Sequence, residues 1–145
     1  MKLFTIGYEG STQPQVIDRL KAAGVELVAD VRAVASSRIA GFSKTVLGES
    51  LKAEGVDYLQ LRALGTPKAG RDAARKGDVA TMHAIFNAHM QEPGAEAAFQ
   101  QLRHVASEKR VALLCFEAEA CGCHRAVLAD RLAREDGVEV VNLQA

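Results

Sequence analysis

The chain has no tryptophan, and aromatic residues make up only 5% of it, so the stacking platforms on which proteins hold unpaired bases are scarce. It also lacks net charge: 18 Lys and Arg are matched by 18 Asp and Glu. No whole-molecule field therefore recruits nucleic acid or an anionic membrane, and any such contact has to come from a local patch. No apolar run approaches the roughly 18 residues of a membrane span, and the start from Met1 to Gly7 is too short for the apolar core of a signal peptide. A cytosolic protein with no membrane partner is expected. The 3 cysteines, two of them separated by a single glycine, are a poor disulfide framework and better suit free thiols or a metal site in a reducing compartment. The chain has no internal repeat and no low-complexity segment.

What is present is enough for one domain: 145 residues, 48% of them hydrophobic, build a single core. Lys2 to Ile6 reads as a buried strand ending at Gly7-Tyr8-Glu9-Gly10, where glycine permits a tight turn or the close approach of a ligand. A helix capped by Ser11 or Thr12 follows and stops at Gly24, and Val25 to Val31 is a second strand. Ser43 caps a helix with Val46, Leu47 and Leu51 on its face, and Val56 to Leu61 is a third strand. The segment from Arg62 to Lys76 has little apolar periodicity and an excess of Lys and Arg, which suggests an irregular basic flap. Helices begin at Asp78 and at Pro93. Val111 to Phe116 is a fourth strand, a helix starting just past Arg125 ends near Gly137, and Glu139 to Leu143 is a fifth strand. Alternation of strands and helices predicts right-handed crossovers and a mostly parallel sheet covered on both faces. The expected fold is thus a doubly wound, Rossmann- or flavodoxin-like α/β domain, with a partial barrel as the alternative.

Such a fold gathers the polar residues that follow its strands at one edge. Gly7, Tyr8 and Glu9, then Asp30 and Arg32 with Arg38 beyond them, and finally Glu117 to Arg125 all belong to that rim. Cys123 stands at the predicted start of a helix, where free N-H groups, the helix dipole and neighbouring Arg125 would lower a thiol pKa, making it the candidate nucleophile. His124 or Glu117 would carry the proton. Arg32, Arg38 and Arg125 supply a clamp for a phosphate- or nucleotide-like anion, with Arg125 pointing to the rim rather than the core. Alternatively, Asp30 and Glu117 pair with these arginines as scaffolding. Cys115, inside an apolar strand, reads as core. Cys121, Cys123 and His124 offer soft ligands for a metal or redox site, yet lack the second ligand pair of a structural zinc site. No phosphatase or sulfurtransferase loop is present, since the sixth residue after Cys115 is Cys121 and the sixth after Cys123 is Ala129, not arginine. A nucleic-acid module using the basic segment 62–76 is the competing reading.

The ordered set Thr5-Ile6-Gly7-Tyr8-Glu9-Gly10, Asp30-Val31-Arg32 with Ser37-Arg38 and Phe42, Leu64-Gly65 with Pro67, and Leu113-Leu114-Cys115-Phe116-Glu117 with Cys123-His124-Arg125 resembles the DUF488 family over nearly the whole chain. The chain departs from that pattern at Ala33 or Ala35, where a proline is usual, and at Glu119-Ala120, which replaces Asp-Pro. The resemblance implies a shared site at Asp30, Arg32, Arg38, Glu117, Cys123, His124 and Arg125 without a reaction to attach to it, and the cofactor is left open.

Overall fold

The computed structural model describes residues 1–120 and 123–145. Five parallel strands, β1 (Lys2–Gly7), β2 (Leu27–Asp30), β3 (Asp57–Gln60), β4 (Val111–Cys115) and β5 (Glu139–Leu143), form one open sheet in the order β3-β2-β4-β1-β5. Side chains alternate across β4, so Val111, Leu113 and Cys115 enter one core cluster while Ala112 and Leu114 enter the other. Helices α1 (Gln13–Ala22) and α2 (Lys44–Ala53) cover the second face. Helices α4 (Val79–His89), α5 (Pro93–Glu108) and α6 (His124–Asp136) cover the first. Both faces are sealed, which is the doubly wound arrangement and not a barrel.

Local chemistry explains the element ends. Thr12 caps α1, its side chain accepting from the Gln15 N-H while the Gln15 side chain returns the bond to the Thr12 N-H. Asp78 caps α4 by accepting from the Thr81 N-H. Gly137 adopts φ 68° at the end of α6, the left-handed turn that glycine enters at little cost. Strands β2, β3 and β4 are shorter than the apolar runs that predicted them, whereas β1 extends to Gly7 and β5 spans the expected residues. Phe116 lies beyond β4 and is 41% exposed, its edge against the Tyr8 ring. On α2, Leu47 and Leu51 are buried, whereas Val46 faces solvent.

The segment 62–76 is the main correction. It is no irregular flap but a 3-10 turn (Arg62–Leu64) followed by helix α3 (Lys68–Arg75). The buried residues of α3, Gly70 and Ala73, are too small to show as apolar periodicity, and a Cβ on Gly70 would press against Thr66 and Ile85. Lys68 and Arg75 both pair with Asp72 along the helix surface, supporting the helix and neutralising part of the basic charge.

Candidate functional site

Sheet order places the carboxyl ends of β1, β2 and β4 side by side, and a cavity of about 120 Å³ lies against them. Tyr8 follows β1, Arg32 and Ala33 follow β2, and Cys115 and Glu117 come from the end of β4. Cys123 and His124 close one wall from the start of α6, while Thr66, Arg71, Ala74 and Met82 close another. A side chain on Gly65 would collide with the backbone of Ala33, so glycine is what lets this second wall approach the end of β2.

Asp30 and Arg32 form a buried pair. The Arg32 Nε and Nη2 donate to the two Asp30 carboxylate oxygens at 2.8 and 2.6 Å, and Nη1 donates to the Phe42 carbonyl at 2.6 Å and the Tyr8 hydroxyl at 3.1 Å. The Tyr58 hydroxyl adds a 2.5 Å bond to Asp30. Burial works to lower the pKa of Arg32, but its bonds to Asp30 outweigh that and raise it. Four of the roughly five guanidinium donors are thus spent on the protein itself. The scaffolding role of this pair prevails, and Arg32 reaches the cavity already neutralised.

The other two members of the expected clamp do not meet there. Arg38 is exposed on the loop after β2 and is absent from the cavity lining. Arg125 does not point to the rim: it is fully buried, and its Nη1 donates to the Cys115 sulfur at 2.8 Å and to the Glu117 carbonyl, while Nη2 donates to the Ala118 carbonyl at 3.0 Å. Three acceptors on the β4 end and its loop hold it inward. Gly7 is occupied in the same way, because a Cβ there would overlap the Glu117 carbonyl; the backbone that approaches it is the protein's own. Glu9 is exposed and braces the same loop, accepting from the Ala118 N-H at 3.2 Å.

Cys123, His124 and Glu117 do come together, joined by Cys115. The sulfurs of Cys115 and Cys123 lie 3.4 and 3.3 Å from the same Glu117 oxygen, Oε2, and the three donor atoms are all within 4.8 Å of one another. Cys115 is therefore a wall of the site and not only core. His124 Nε2 is 2.7 Å from the Val31 carbonyl, which only accepts, so Nε2 carries the proton and Nδ1 presents a lone pair 3.6 Å from the Cys123 sulfur. An edge contact from Phe86 fixes the ring further. Burial lowers the His124 pKa and keeps the imidazole neutral. Burial also pushes the Cys123 thiol up, with Cys115 and Glu117 adding to the effect, contrary to the lowering expected from the helix start. Cys121 lies outside the described residues.

Arg71, which in the sequence is one of several charges of the basic segment 62–76, also lines the cavity. Its Nη1 donates to the Thr66 carbonyl at 2.9 Å, and among the described residues no carboxylate pairs with it. Its position four residues after Pro67, on the first full turn of α3, was the available signal.

An open doubly wound sheet whose central strand ends carry a thiol, imidazole and carboxylate cluster beside a small cavity defines the class. Residues 12–132 match the family model described as Domain of unknown function DUF488, and the chain belongs to that family. No curated protein and no solved structure matches the chain.

Proposed function

We propose that the protein is an enzyme-like domain that binds a small monoanion with an apolar body, such as a short-chain or aromatic carboxylic acid, in the cavity at the strand ends. The observation that carries this reading is Arg71, a cation without a carboxylate partner among the described residues, set in a lining that is otherwise largely apolar: Tyr8, Ala33, Val34, Ala74, Met82 and Phe116. A guanidinium fork matches a carboxylate. The volume supports a ligand much smaller than a nucleotide: about 120 Å³ is close to the ~150 Å³ that holds benzene and below the ~300 Å³ at which cofactor-sized sites begin. The bound molecule would face Cys123, with His124 Nδ1 as the proton acceptor beside it.

Calorimetric titration with butyrate, benzoate and inorganic phosphate tests this. Butyrate or benzoate should bind, and Arg71→Ala should weaken binding about tenfold or more, roughly 1.4 kcal/mol or above, with the melting temperature almost unchanged. Failure of all three anions to bind, or equal affinity in Arg71→Ala, contradicts the proposal. Tighter binding of phosphate than of either acid contradicts the apolar part of it.

A further inference from the structure

We infer that Cys115, Glu117 and Cys123 form a site for one soft divalent cation, zinc being the first candidate, with a fourth coordination position open to the cavity. This goes beyond the carboxylic-acid reading and does not need it. The geometry is the first argument. Tetrahedral zinc with Zn–S of about 2.3 Å and Zn–O of about 2.0 Å sets the sulfur-to-oxygen edge at about 3.5 Å. The two edges here are 3.4 and 3.3 Å, both meeting at Glu117 Oε2, and the two sulfurs are within 4.8 Å of each other. The donors come from three rigid places: the last residue of β4, the loop held down by Arg125, and the residue that starts α6. Two sulfurs and one carboxylate favour a zinc-like ion over magnesium or calcium.

Charge is the second argument. In the metal-free protein each thiol can donate to Glu117 Oε2, and the buried Arg125 guanidinium donates to the Cys115 sulfur and to the Glu117 and Ala118 carbonyls. Uptake of a divalent cation releases both thiol protons to solvent and leaves two thiolates, one carboxylate, the cation and Arg125. The group, its sulfurs and Arg125 buried and Glu117 partly exposed, therefore keeps its net charge, so loading adds no uncompensated charge. Arg125 then donates to a metal-bound sulfur, as groups around metal ligands commonly do. Three protein ligands among the described residues, with a further position toward the cavity they line, follow the pattern of reactive rather than purely structural zinc. Of the soft ligands expected from the sequence, Cys123 belongs to this set, and Cys121 lies outside the described residues.

The test uses full-length protein purified without a histidine tag, equilibrated with equimolar zinc, desalted and assayed for bound metal. About one ion per chain is expected, and the cobalt-loaded form should show sulfur-to-metal charge-transfer absorption. Cys115→Ser and Glu117→Gln should each weaken zinc binding by tenfold or more in competition with a chromophoric chelator, while Arg71→Ala binds zinc as the wild type does. Wild-type protein that retains less than a tenth of an ion per chain overturns the inference, even if the serine variant fails to fold. So does undiminished zinc affinity in both Cys115→Ser and Glu117→Gln. Metal content and carboxylate titration are read separately, so loss of one leaves the other standing.

Discussion

Arg125 shows how a residue can be located correctly and its direction misread. Its place near the start of α6 was legible, although the helix begins at His124 and not just past Arg125, and a helix start facing a rim suggested an anion clamp. The carbonyls of Glu117 and Ala118 turn it inward instead, and only the folded loop after β4 supplies them. Arg125→Lys should therefore cost about 2 to 4 kcal/mol of stability, because a single ammonium cannot serve the acceptors that a planar fork reaches and leaves buried carbonyls unpaired. Urea unfolding measures this; a midpoint near the wild-type value would show that Arg125 does not hold the loop. Gly7→Ala should be at least as damaging, by more than about 2 kcal/mol, since its Cβ meets backbone that cannot swing aside. Its melting temperature against that of Gly10→Ala, where a Cβ has open space but φ is 76°, separates collision from conformational strain. The cysteines divide similarly. Cys123 was readable from its place at a strand-to-helix loop. Cys115 hid in an apolar run, although an extended chain puts residues two apart on one side, and Glu117 two positions on was the clue that linked them.

At the level of elements, the alternating pattern was enough for a parallel, doubly wound sheet, and the cap residues at Thr12, Asp78 and Gly137 stand where the sequence indicated. Helix α3 was not legible, because its contact surface is made of glycine and alanine and its remaining residues look like solvated charge. The order β3-β2-β4-β1-β5 was equally beyond reach, since nothing local to β4 says that it inserts between β2 and β1. That insertion brings Asp30 and Tyr58, from the neighbouring strands β2 and β3, into the support of the site. Burial raises the Tyr58 pKa, and its bond to Asp30 raises it further. The unfolded chain releases this proton near pH 10, while the folded chain holds it. Stability should thus be intact below pH 10 and fall as pH rises above it. Urea midpoints measured between about pH 9 and 11 should show a decline that is shallower in Tyr58→Phe, by no more than about 1 kcal/mol per pH unit for a half-exposed group. Parallel declines in the two proteins would show that Tyr58 does not gate it.

At the scale of the whole molecule, weak binding to a polyanion is predicted. Acidic and basic residues cancel, and two of the basic side chains of α3 are engaged with Asp72. Anisotropy titrations with single- and double-stranded oligonucleotides should show weak binding that disappears by moderate salt, and tight binding insensitive to salt would contradict this. No helix among the described residues is long and apolar enough to cross a membrane. What the fold gathers at one place, beside the carboxyl ends of the three central strands, is a cluster of thiol, carboxylate and imidazole groups against a cavity, which is proposed as the binding site. The direct test of that claim is to titrate isotope-labelled protein with benzoate and map the changes in its amide and arginine NMR signals. The account predicts shifts confined to Tyr8, Ala33, Arg71, Cys123, His124 and their neighbours, saturating together. Shifts centred on Arg38 or on the outer surfaces of α1 and α5, with the strand-end signals unmoved, would contradict it.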